Sequence, residues 1–346
     1  MLSILHFESN YEGRIMNDKF EKFFTDVLNE TMEEHLKTLK NQPEIDEFLD
    51  KFERADFSEL YQTILNDISI QMVNNAKTIM HENSIFFRNE KNEVLANINQ
   101  KWSNAFVTSE AMYIMVLEAV DNYSKFVNEL DVQEREKSIQ TYTALKYIHG
   151  RGLQQFLEII TLMENGFADG AYARWRSLYE LTIIAYFISK YGEKVAHSYI
   201  SSENSEDRYE WARACGEFKD KKYIRFNDIR RKSDFPSNLW KNQYQLANEV
   251  LHPSSQGTFN RLGTVDSKEV ITIGRTDYGL ATPGEHSAIS LAQLTSVFLT
   301  VYSSGDSLLS AIMINKWVDV VRESYFKTHD YIFPNEPKLW NEDKKS

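Results

Sequence analysis

From Asn17 onward, Phe20, Phe23, Phe24, Val27, Leu28, Met32, Leu36 and Leu39 recur at steps of one, three and four. That spacing puts them on one face of an amphipathic helix. Pro43 suits the first turn of a second helix, which carries Ile45, Phe48, Leu49 and Phe52. Ser58 suits the cap of a third, with Leu60, Tyr61, Ile64, Leu65, Ile68, Met72, Ala76 and Ile79, and Phe86 to Trp102 reads as a fourth. Thr108 or Ser109 opens another helix through Met112, Met115, Val116, Ala119, Tyr123 and Val127. The expectation is an N-terminal helical bundle over residues 1–130, led in by residues 1–16.

The charged run Asp131–Lys137 marks the expected domain boundary, and residues 131–330 form a second helical domain, with residues 331–346 as an irregular arm. A long helix runs to about Asn165; Gly150 and Gly152 interrupt its pattern, which suggests close approach by another backbone. The most strongly patterned stretch is Asp169–Gly192. Tyr172, Trp175, Tyr179, Ile183 and Tyr186 fall on one side of this helix, and Leu178, Leu181, Ala185 and Ile188 on the other. A helix apolar on both sides is buried on both sides. Asp169 is its expected N-cap and Gly192 its stop. Shorter helices follow, and Ser237 caps a further one that ends before Pro253. Residues 255–280 are rich in Gly, Ser and Thr, and Lys268–Gly274 reads as one strand of a small β-hairpin insertion. Pro283 opens a last long helix that continues to Tyr325. The expected fold class is all-α.

Composition agrees with that reading. The chain has 346 residues, 42% hydrophobic and 26% charged, enough for a large core, and only 13 Gly and 6 Pro to break helices. The single cysteine, Cys215, cannot form an intrachain disulfide or a thiolate zinc cluster, which suits a reducing cytoplasm. The first residues lack the basic and apolar regions of a signal peptide, and no apolar window is long enough to span a membrane. A net charge of −12 argues against non-specific nucleic-acid binding by the surface as a whole. One basic cluster, Lys219–Lys232, stands out: Lys221, Lys222, Arg225, Arg230 and Arg231 would contact RNA phosphates, or else coat a solvated face.

Standard catalytic signatures are missing. Glu249-Val-Leu-His252 supplies one Glu-x-x-His pair where a di-iron bundle needs two. There is no His-Glu-x-x-His, no phosphate loop and no Gly-x-Ser-x-Gly elbow, so neither metal nor cofactor is expected. What remains is Arg174, Arg176, Glu180, Asn248 and His252. Buried charges need partners, and Arg176 and Glu180, one turn apart, can pair along their helix while Arg174 faces elsewhere. The same residues could simply be a core ion pair that fixes helix register, with His252 a helix-end histidine.

The stretch Gly170-Ala-Tyr-Ala-Arg-Trp-Arg-Ser-Leu-Tyr-Glu180, followed by Val250-Leu-His-Pro-Ser254, resembles a bacterial family known only as a domain of unknown function. That family in turn resembles the HEPN superfamily, helical domains found in toxins and phage-defence proteins. Active members are metal-independent ribonucleases that carry an Arg, a following polar residue and a His at the end of a helix, paired across a dimer. Asn248 and His252 match the polar residue and the histidine, but Ala247 stands at the arginine's place. The resemblance implies a homodimer with RNA as substrate and His252, Asn248, Glu180 and Arg174 or Arg176 in the site. The alternative is a non-catalytic module whose N-terminal bundle binds a protein partner.

Overall fold

The computed structural model describes residues 29–30, 32–202, 206–235, 241–251, 255, 262–263 and 274–340. The protein is all-α, and no strand occurs among the described residues. The expected β-hairpin gains no support: Lys268–Ile273 lie outside the described residues, Leu262 and Gly263 form a turn, and bends follow from Gly274. Nor is any described helix long and apolar enough to cross a membrane.

Two compact units divide the chain, Met1–Lys91 and Asn92–Ser346. In the first, residues 29–30 and 32–36 are helical, while residues 1–28 and 31, which hold the lead-in and the start of the first predicted helix, lie outside the described residues. Helix α1 (Gln42–Glu53) begins where Asn41 accepts a hydrogen bond from the Glu44 amide at 3.1 Å, with Pro43 in its first turn. Helix α2 (Ser58–Glu129) is 72 residues long and unbroken, where the spacing predicts separate helices. The reason is local. No Gly or Pro occurs between residues 58 and 129, and hydroxyls that could act as caps bond back to their own helix, Thr63 to the Glu59 carbonyl and Thr108 to that of Ala105.

The second unit contains α2 from Asn92 onward, then α3 (Val132–Glu136), α4 (Ile139–Glu164), α5 (Ala168–Tyr191) and α6 (Glu193–Ser201). A 3-10 helix (Glu210–Cys215), α7 (Phe226–Lys232), α8 (Lys241–Leu251), α9 (Ala281–Leu299) and α10 (Gly305–Ile332) follow among the described residues. The charged run Asp131–Lys137 falls inside this unit, mostly as α3. Where one last long helix is expected there are two, because Ser304 and Ser307 exchange hydrogen bonds in a capping box that starts α10 afresh.

Helix α5 packs against α4, α6, α7, α8 and α9. Trp175, Tyr172, Tyr179 and Ile183 on one side and Leu178, Ala185 and Ile188 on the other are all fully buried, as the two-sided pattern predicts. Burying a large apolar side chain such as Leu178, Ile183 or Ile188 contributes about 1.5–3 kcal/mol. Two polar atoms of this surface bond across the interface: the Trp175 indole donates to Ser290 Oγ at 3.0 Å, and Thr182 donates to the Ser290 carbonyl at 3.2 Å. Asp169 is not the N-cap. The helix starts one residue earlier, capped at Phe167, after Gly166 turns the chain at φ 72°. Asp169 instead accepts the Leu262 amide at 2.7 Å and ties that segment to the start of α5. Gly192, at φ 71°, ends the helix as expected.

Helix α4 runs through both glycines without a break. A Cβ at Gly152 would meet the Leu294 and Leu178 side chains, not a backbone, and one at Gly150 would meet nothing within 4 Å. The tightest helical glycine against a rigid neighbour is Gly284 in α9, where a Cβ would lie 2.4 Å from the ring of fully buried Tyr325. Gly284→Ala is therefore expected to destabilise the fold by about 1–3 kcal/mol through overpacking. Gly150→Ala, in an exposed helix interior, is expected to stabilise it by up to about 1 kcal/mol. Denaturant melts of the two variants check the pair.

Two core histidines make a second prediction. His149 bonds Thr295 Oγ1 at 2.9 Å and stacks on Phe298, and burial pushes its pKa from 6.5 to about 3. His286 lies among Tyr172 and Trp175, and burial, assisted by Arg322, lowers its pKa to about 3 as well. The unfolded chain takes up these protons first, so stability is full above the unfolded value and is lost as pH falls from about 6.5 towards 3. At pH 5 each histidine would cost on the order of 2 kcal/mol. His149→Gln is expected to lower the melting temperature at neutral pH but flatten its decline on acidification; an unchanged slope would rule the histidine out as a source.

Candidate functional site

Arg174, Arg176 and Glu180 on α5 separate into two groups. Arg174 pairs with Glu158 on α4, and this hydrogen bond holds the Glu158 carboxyl below the usual carboxylate range. Arg176 and Glu180 point instead toward α8. Arg174 is thus not brought together with the other candidates.

Glu180 is the centre of the second group. Its side chain is only 10% exposed, and its two oxygens are shared among three donors. Oε1 accepts the Tyr244 hydroxyl from α8 at 2.7 Å and Arg176 Nη2 at 3.0 Å, while Oε2 accepts Arg208 Nη2 at 3.1 Å. Arg208 comes from the segment just before the 3-10 helix, and its side chain is 70% exposed, so the cluster opens to solvent there. A buried carboxylate survives only with such pairing.

Tyr244 collects a second set of charges. The Arg176 guanidinium lies 5.3 Å from its ring centroid and that of Arg230, from α7, 5.7 Å, both within cation–π range. Burial pushes the Tyr244 hydroxyl up to about 12, which keeps it a proton donor to Glu180. Burial works against the Arg176 charge, but Tyr244 and Glu180 outweigh it and its pKa is raised. Tyr179 is fully buried beside this group, its ring 5.3 Å from that of Tyr244; burial raises its pKa and Arg230 opposes the rise.

Helix α8 also carries Asn248, half-buried one turn beyond Tyr244. His252 follows the last residue of α8 in sequence and lies outside the described residues. Ala247 is fully buried against the core. The basic run folds as a loop leading into α7, and its members part company. Lys221 pairs with Asp228, which with the Arg225 amide forms the start of α7. Lys222 lies over Tyr223, Lys232 pairs with Glu217, and Arg231 is exposed. Only Arg230 among them reaches Tyr244.

Residues 142–235 match DUF5677, a family of unknown function. The DUF5677 match spans most of α4 and all of α5, α6, the 3-10 helix and α7. It therefore includes Arg176, Glu180, Arg208 and Arg230 and stops before Tyr244. No curated protein and no solved structure matches the chain.

Arg208 and Tyr244 are the site residues that sequence patterns pass over. Tyr244 carries a signal in hindsight, since it stands four residues before Asn248 on one helical row. Arg208, in an acidic turn, carries none. Removing the shared carboxylate is expected to cost far more than removing one donor: Glu180→Ala about 3 kcal/mol, because two guanidiniums lose their partner, and Tyr244→Phe about 1 kcal/mol. The double variant should fall short of the sum, which a thermodynamic cycle from urea melts measures.

Proposed function

We propose that this chain is a metal-independent endoribonuclease of HEPN-like type, a cytoplasmic bacterial defence or toxin-type protein that works as a homodimer. One observation carries the reading: Arg176 and Arg230, distant in sequence, both face Tyr244 on the helix that bears Asn248 and leads to His252. The family's arginine is missing at Ala247, and guanidiniums from α5 and α7 stand close to α8 in its stead.

The chemistry follows from these groups. His252, an imidazole suited to proton transfer near neutrality, takes the proton of an RNA 2′-hydroxyl, which attacks the adjacent 3′-phosphate. The phosphorane then breaks its P–O5′ bond, leaving a 2′,3′-cyclic phosphate and a 5′-oxygen that takes up a proton from water. Negative charge builds on the phosphorane oxygens, where Arg176 and Arg230 stabilise it. Asn248 orients the phosphate, and Glu180 holds Arg176 in place. Lys221, Lys222, Arg225 and Arg231 would hold neighbouring phosphates of the strand.

A second reading, a non-catalytic interaction module, draws on the exposed apolar residues Ile70, Val73, Met80, Ile85 and Phe87 of the first unit, which suit a protein partner. Labelled RNA incubated with the purified protein and a chelator separates the two. Cleavage is expected in the wild type and a loss of at least about 100-fold in His252→Ala, in keeping with general acid–base catalysis. Absence of cleavage by a well-folded preparation would replace the nuclease with the interaction module, and a monomer mass by light scattering would remove the dimer from the reading.

A further inference from the structure

The cluster around Glu180 carries more positive charge than its own carboxylate can balance. Arg176, Arg208 and Arg230 face one acid, Glu180, and one neutral hydroxyl, Tyr244. Other carboxylates of these elements are engaged: Asp228 with Lys221, Glu210 with Arg213, and Asp234 with Lys190. Arg176 and Arg208 thus share a single carboxylate, and no ion pair is seen for Arg230 among the described residues.

Donor capacity is left over as well. Arg176 Nε is buried and has no hydrogen-bond partner, although an unmade bond at a buried donor costs about 1–3 kcal/mol. Arg230 forms no ion pair with a described residue, and Arg208 spends one nitrogen on Glu180 and leaves its mostly exposed fork open. Three guanidiniums around one carboxylate, with free donors and an opening to solvent on one side, call for an anion with several acceptor oxygens. An internal phosphodiester brings one negative charge; a terminal phosphate monoester brings about two near neutral pH and three acceptor oxygens.

We propose that Arg176, Arg208 and Arg230 form a receptor for a terminal phosphate monoester of an RNA strand, so that the chain distinguishes phosphorylated from hydroxyl RNA ends. This rests on the reading of the chain as an RNA-binding protein and adds the class of strand end it selects; because Arg176 and Arg230 are also the guanidiniums assigned to the cleaved phosphate, a bound strand end and a scissile phosphodiester occupy them in turn, not together. Guanidinium forks suit this task because they present paired N–H groups to phosphate oxygens. The pairing with Glu180 sets the Arg176 and Arg208 forks before the ligand arrives, so less entropy is lost on binding.

The test is fluorescence anisotropy with the full chain and one short 2′-O-methyl oligonucleotide, which cannot be cleaved through its 2′ position, carrying a 5′-phosphate, a 3′-phosphate or hydroxyls at both ends. One phosphorylated form is expected to bind at least about tenfold tighter than the hydroxyl form, the scale of one hydrogen bond to a charged group. The preference should vanish in Arg230→Gln and in Arg208→Gln, with melting curves confirming that both fold. It should also shrink between pH 7 and pH 5, as the monoester takes up its second proton at a pKa of about 6. Equal affinity for all three ends in the wild type would overturn the proposal. Because the probe is uncleavable, a failed nuclease assay leaves this result standing, and cleavage of hydroxyl-ended RNA without any end preference would retire the receptor alone.

Discussion

A helix buried on two sides offers little water to a charge. Helix α5 meets other elements on two sides, yet three ionisable side chains sit within seven residues of its sequence. The cost of leaving any of them unpaired, several kcal/mol apiece, dictates what surrounds it. Glu158 must stand on α4 opposite Arg174, and α8 must bring a hydroxyl to Glu180. The Tyr244–Glu180 hydrogen bond, together with those from the Tyr172 hydroxyl to Gln243, fixes the register of α8 along α5. The same constraint engages Arg208, whose side chain bonds Glu180 while staying mostly exposed.

Much of this is written in local pattern. The two-sided apolar repeat of α5, its stop at Gly192 and the Arg176–Glu180 pair one turn apart are all readable from the order of residues, because they depend on helical geometry and little else. Errors arise where a neighbour decides. The start of α5 is set by the turn at Gly166 and by a distant amide that claims Asp169, so the best capping residue in the stretch does not cap. The hydroxyls and amides along α2 resemble helix boundaries, but each polar group can be satisfied within the helix, and without Gly or Pro nothing forces an end.

The site was legible in the same measure. Two of its arginines could be marked from sequence, Arg176 by its burial and Arg230 by the basic run, yet nothing in one dimension says that they share a tyrosine. That meeting depends on α7 and α8 folding back onto the same stretch of α5. Arg174 illustrates the converse: adjacent to Arg176 in motif, it is turned through roughly 200° about the helix axis and serves the contact with α4.

A carboxylate divided among donors from three separate stretches of chain has a consequence for how such a protein can change over time. Positions 176, 180, 208 and 244 form a closed circuit in which each residue's fitness is conditional on the others. Single replacements pass through an intermediate with an orphaned charge, whereas a joint replacement by apolar residues of similar volume need not. Lineages should therefore keep the quartet together or lose it together, and its presence in full among related sequences would be a more discriminating marker than any one of its members.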